Sequence, residues 1–167
     1  RRARGIVVQE HAAAAAAPGA HAKMSQKNAK FRPELVVVTK GQTVEFPNDD
    51  NIDHNVFSFS KAKKFDLGIY AKGQTKSVTF DREGPVLVFC SIHENMNSTI
   101  FVAPNPLHAV ADGSGKFRIA NVPPGRYKLL TWHGSLPEAA ESIEVRTVHA
   151  ESGIPVKVVI DLGAHQK

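Results

Sequence analysis

Seven consecutive residues carry the densest chemistry in the chain: Cys90-Ser91-Ile92-His93-Glu94-Asn95-Met96. They hold the only cysteine, a histidine three positions on and a methionine three beyond that. A thiolate, an imidazole and a thioether at that spacing form a soft donor set. Such a set suits copper, and two histidines, one cysteine and a long axial methionine describe a copper electron-transfer centre. The second histidine must come from elsewhere, and His54, in Asp53-His54-Asn55-Val56, is the candidate. Three strong donors from His54, Cys90 and His93, with a weak fourth from Met96, suit both Cu(II) and Cu(I) without large rearrangement.

Each residue also has a plainer reading. A cysteine closing an apolar run is more often inert core, and a methionine near a strand start is more often packing. Together, at three-residue steps between two strands, the three are not explained that way. A Cys-His nucleophilic pair is the enzymatic rival. It lacks a helix N-terminus or cationic setting to lower the thiol pKa, and it leaves Met96 without a role. Zinc accepts Cys and His, but structural zinc sites usually use more thiolates and rarely recruit Met.

The elements that must position these residues are strands. Val86-Leu87-Val88-Phe89 and Thr99-Ile100-Phe101-Val102 have the β-branched and aromatic content of buried strands, so residues 90–96 form the loop between them. His54 precedes a further strand, Val56-Phe57-Ser58-Phe59. Asn55 stands next to it, placed to hydrogen-bond the Cys90 sulfur or the ligand loop. Strand patterns are also read over 31–39, 43–46, 65–67 and 75–80, separated by Lys40-Gly41-Gln42, by Pro47-Asn48-Asp49-Asp50-Asn51 and by turns at Gly68, Gly73 and Gly84-Pro85. Many short strands with almost no helical periodicity make an all-β protein with a β-sandwich.

Three segments are expected. Residues 1–24 comprise a short strand, Ile6-Val7-Val8, and a flexible alanine-rich stretch ended by Pro18-Gly19. Residues 25–103 form the copper domain. After the linker signal Pro104-Asn105-Pro106, residues 104–167 form a small second β-sandwich, with strands over 107–111, 117–119, 127–132, 143–148 and 156–162. About 60 residues is near the lower limit for an independent core, so this module is expected to pack against the first.

Bulk properties narrow the function. The 167 residues are 42% hydrophobic and 22% charged, an ordinary globular composition. No apolar run approaches the roughly 18 residues of a membrane span. No basic-aromatic pattern points to nucleic acid, and the formal charge of +5 favours an acidic protein partner. One cysteine excludes an internal disulfide and a thiolate-bridged binuclear centre. The chain contains no His-x-His pair, which argues against oxygen or nitrite reduction within it. His108, His133, His149 and His165 read as structural or surface residues. Arg1-Arg2-Ala3-Arg4 is not followed by a hydrophobic run, so no signal peptide is read.

Phe46-Pro47-Asn48, Asp53-His54-Asn55-Val56 and the Cys-x-x-His-x-x-Met loop resemble the ligand motifs of the cupredoxins, over residues 31–103. With Phe57-Ser58-Phe59-Ser60, Val122-Pro123-Pro124-Gly125-Arg126-Tyr127 and Trp132-His133, the fuller pattern is similar to bacterial methylamine-utilisation or plastocyanin-like proteins. In those a cupredoxin precedes a carboxypeptidase-regulatory-like β-sandwich. The resemblance implies a Greek-key cupredoxin sandwich with one type 1 copper ion on His54, Cys90, His93 and Met96. It implies a non-enzymatic electron carrier in the periplasm, serving a redox partner such as a cytochrome or quinoprotein. It also implies that His93 reaches solvent through an apolar patch, for which Ile52, Ile92 and Pro47 are candidates, the competing reading being that these three are ordinary core residues. The competing function is a copper carrier or sensor that hands the metal on, with His11, His21 and Met24 taking part.

Overall fold

A computed structural model describes residues 5–10, 21–120, 122–123, 125–134 and 143–150. Its described residues form strands and turns, with no helix. The strands are β1 (Gly5–Glu10), β2 (Ala22–Lys23), β3 (Ser25–Gln26), β4 (Phe31–Arg32), β5 (Leu35–Thr39), β6 (Thr43–Pro47) and β7 (His54–Phe59). They continue as β8 (Lys64–Tyr70), β9 (Thr75–Thr79), β10 (Gly84–Phe89), β11 (Asn97–Ala103), β12 (His108–Val110), β13 (Gly125–His133) and β14 (Ile143–Ala150).

These strands fall into two compact units, one holding β2 to β11 and ending at Ala103, the other combining β1 with β12 to β14. In the first, a five-stranded sheet runs β5-β11-β10-β7-β8 and a three-stranded sheet runs β2-β6-β9. β3 and β4 form a short antiparallel ribbon. β5 lies parallel to β11, whereas β10 pairs antiparallel with both β11 and β7.

Alternation builds the core between the two larger sheets. Successive side chains on a strand face opposite ways. Val36 and Val38, Ile100 and Val102, Val86 and Val88, and Val56 therefore turn inward from the five-stranded sheet. They meet Val44 and Phe46 from β6, Val78, and Phe80 just beyond β9. Gly41, with φ +89, makes the β5–β6 turn that only a residue without Cβ takes readily.

Three readings of the sequence shift. Pro33 divides the pattern over 31–39 into β4 and β5. Gly68 does not end a strand: it lies within β8 at φ +66, where the pairing with β7 slips between Asn55 and Phe57. Three residues of β8 there span what two of β7 span, a bulge that glycine accommodates.

The third shift concerns the N-terminal segment, taken as a separate stretch ending at residue 24. β1 is an inner strand of the second unit's sheet, ordered β12-β1-β13-β14, pairing Ile6 with Val110 and Trp132. Ala22 and Lys23 pair with Val44 and Glu45 of β6, and Met24 is fully buried in the first unit's core. The Ile-Val-Val run satisfies its backbone by pairing with a strand on either side, and sequence order does not reveal which strands those are. Of the segment expected to be mobile over 11–22, residues 11–20 lie outside the described residues while Ala22 stands in β2, and the strand expected over 156–162 also lies outside them. The described part of the second unit is that single four-stranded sheet; the pattern over 117–119 forms no strand.

Candidate metal centre

Register explains why the two sulfur residues share a face. β10 and β11 form a hairpin in which Val88 faces Ser98 and Phe89 faces Asn97. Continuing that register sets Cys90 opposite Met96, and the Cys90 N–H donates to the Met96 carbonyl at 3.1 Å. Residues 86, 88 and 90 on one arm and 96, 98, 100 and 102 on the other are all buried. Cys90 (5% exposed) and Met96 (1%) extend the core face rather than leaving it. The Met96 N–H donates to the His93 carbonyl at 3.0 Å, a tight turn that returns His93 over the sandwich end.

His54 arrives from the neighbouring loop. It opens β7 on the inward face, in step with Val56 and Ser58, and is fully buried. The loop before it is organised by buried Asn48, whose Nδ2 donates to the carbonyls of Ile52 (3.0 Å) and Tyr70 (3.1 Å). Its Oδ1 accepts the Asp50 N–H at 3.0 Å. Asn55 joins the two ligand-bearing loops: its Oδ1 accepts the Ser91 N–H at 2.9 Å and its Nδ2 donates to Asp66 at 2.7 Å.

The Cys90 sulfur lies 3.8 Å from His54 Nδ1 and 3.7 Å from His93 Nδ1. The donor atoms of His54, Cys90 and His93 fall within 4.8 Å of one another, the one such grouping among the described residues. Donors bonded to one first-row metal at roughly 2.0–2.3 Å sit within about 4 Å of each other; both Cys90–imidazole separations meet that, and the widest of the three pairs lies just beyond it. The two imidazole rings are 4.8 Å apart and tilted by 58°.

These motifs sit in a unit matched, over residues 19–103, by the copper binding proteins of the plastocyanin/azurin family. The chain belongs to that family. It is a cupredoxin, and the soft sulfur-and-imidazole donor set formed by His54, Cys90 and His93 is one that copper fits. Among solved structures, a purple cupredoxin from Nitrosopumilus maritimus is 23% identical, with TM-score 0.45, over 49% of this chain and 99% of that one. A reduced amicyanin mutant is 24% identical, with TM-score 0.45, over 49% and 81% of the two chains. A copper-containing nitrite reductase from Thermus scotoductus SA-01 is 24% identical, with TM-score 0.50; this chain covers 26% of it, and the likeness is one of fold. No curated protein sequence matches significantly.

One residue of the cupredoxin's site has no part in the sequence reading. Asp50 Oδ2 lies 3.0 Å from His54 Nε2 and accepts the Ala29 N–H at 2.8 Å. Its Oδ1 accepts the Asn51 N–H at 2.9 Å. These contacts, led by the Ala29 N–H and followed by His54, hold the Asp50 carboxyl at about 2, below its ordinary 3.8. The only signal in sequence is its place four residues before His54, inside a run of turn formers; Ala29 is distant in the chain.

Tyr70 pairs across the sheet with His54, donates its hydroxyl to the Phe46 carbonyl at 2.9 Å, and is pushed up to about 12, chiefly by burial. His21 sits at the surface with Nδ1 3.0 Å from Glu45 Oε1, and His11 lies outside the described residues.

Proposed function

We propose that this cupredoxin carries single electrons between redox partners, with copper held by His54, Cys90 and His93 and weakly by Met96. The observation that carries the reading is the convergence of three donors from two loops, one imidazole sealed and the other half-exposed. Copper bound there supplies a one-electron Cu(II)/Cu(I) couple. The chain's own part is to keep the donors from moving. His54 is fixed by Asp50, Ser91 is clamped by Asn55, and the hairpin register fixes Cys90 against Met96. A site that barely rearranges exchanges electrons quickly.

His93 is the proposed port. Ile52 (45% exposed) and Ile92 (46%) belong to the two ligand-bearing loops and give a partner an apolar contact that sheds water. Exposed Asp49, Asp53 and Glu94 share those loops, while Lys27, Lys30 and Lys72 lie on neighbouring turns. Both signs of charge therefore border the port, which orients a partner more than the net charge does. A cytochrome or quinoprotein, in the periplasm, remains the partner and compartment proposed from the resemblance; cell fractionation reads the second.

The copper-carrier alternative is less favoured. Of its extra donors, Met24 is fully buried in the core and His21 is engaged with Glu45. Voltammetry of the copper-loaded protein beside a Cu(I) chelator separates the two. An electron carrier gives a reversible one-electron wave and keeps its copper through repeated cycles. Loss of the metal to the chelator on each reduction would contradict it.

A further inference from the structure

The two imidazoles are built in differently. Among the described residues nothing bonds His93 Nε2, whereas His54 Nε2 faces a carboxylate that is itself held by two other groups. That carboxylate accepts the Ala29 and Asn51 N–H groups, two partners that can only donate. The turn presenting Ala29 has Asn28 and Ala29 at φ +54 and +50, so backbone is spent aiming that N–H at Asp50. Two partners that can only donate favour the ionised carboxylate, which accepts a hydrogen bond and gives none. The His54–Asp50 bond is then Nε2–H to carboxylate, and in the neutral imidazole that ligates a metal the Nδ1 lone pair is left facing the Cys90 sulfur.

We infer that Asp50 is a positioning residue for the copper centre: it locks His54 in the Nε2–H tautomer and adds a negative charge behind the ligand that favours Cu(II) over Cu(I). The inference rests on the copper reading above and deepens it. A carboxylate behind a metal-bound imidazole raises that ligand's basicity and fixes its ring. Its charge acts across a fully buried histidine, where solvent screens least. Asp50→Asn keeps an acceptor oxygen for His54 and removes the charge. Asp50→Glu restores charge at a slightly longer reach.

The test has two arms. In copper-loaded protein, Asp50→Asn is expected to keep the visible thiolate band and to shift the equilibrium at least tenfold toward Cu(I), about 59 mV upward for one electron. Asp50→Glu should return most of that shift. An unchanged potential in Asp50→Asn with the band intact would overturn the inference and leave Asp50 as loop scaffold. The second arm uses unsubstituted, metal-free protein with nitrogen-15-labelled histidine, and stands even if the variant fails to fold. His54 should show a protonated Nε2 whose hydrogen exchanges slowly with water; a protonated Nδ1 would also overturn it. If native protein bound no copper, the functional reading would fail while this arm still judged the Asp50–His54 bond.

Discussion

His54 and His93 present the same atom, Nδ1, to one sulfur at nearly the same distance, 3.8 and 3.7 Å, yet from opposite surroundings. His54 is fully buried, its far nitrogen against Asp50, in a loop braced by Asn48. His93 is half-exposed in a seven-residue hairpin loop beside solvent-facing Ile92. The difference separates two jobs that a carrier must combine. One side holds the centre still and excludes water; the other lets a partner approach. Neither histidine could do both, because sealing a ligand removes its contact with a partner.

The most drastic way to break this comparison is to remove each ring. His54→Gly and His93→Gly should both lose the native visible band of the copper-loaded protein. Added imidazole should restore it in His93→Gly, where the gap opens to solvent, and not in His54→Gly, where it is enclosed. Equal rescue in an absorption titration would show that the two sides are equally accessible.

Altering the approach surface is a milder intervention. Ile92→Lys should slow electron exchange with a protein partner by about tenfold while leaving the visible spectrum unchanged, since it adds a charge to an apolar contact. Val110→Lys, an exposed apolar position in the other unit (44% exposed), is the control and should change neither. Stopped-flow rates and spectra decide; equal slowing by both would dissociate Ile92 from the port.

On the sealed side, pH is the probe. Asp50 has its folded-state pKa lowered from 3.8 to about 2. The stability it lends is therefore full above about pH 4 and lost as pH falls toward 2. The melting temperature of metal-free Asp50→Asn should fall less over that window than that of the native chain. Equal slopes would mean the carboxylate is not so engaged. The smallest effect is expected from Tyr70→Phe, which removes the hydroxyl bonded to the Phe46 carbonyl. It should lower unfolding stability by about 1 kcal/mol in urea denaturation, with the copper spectrum kept.

Much of this contrast was legible in the chain. Strand alternation and the Cys-x-x-His-x-x-Met spacing were enough to bring Cys90 and His93 to one loop, and His54 was recognisable by standing at the start of another strand. Sequence left Ile52 and Ile92 open between an apolar patch and the core, and the structure exposes both. Asn55 reaches the ligand loop through Ser91 rather than through the Cys90 sulfur. What sequence hid was tertiary. Asp50 acquires its role only when the turn holding Ala29 folds against it, and β1 finds partners about a hundred residues away, at Ala109 and Trp132. Local patterns specify faces and turns; they carry no record of which distant backbone group completes a carboxylate or a sheet.

The shared sulfur of Cys90 is the most direct point of test. Cu(II) titrated into metal-free native protein should produce an intense visible thiolate-to-copper absorption and the narrow copper hyperfine splitting of a thiolate-bound site in paramagnetic resonance, saturating at one ion per chain. Cys90→Ser should abolish both. Native protein that takes up no copper, or a Cys90→Ser protein with the same spectrum, would contradict it.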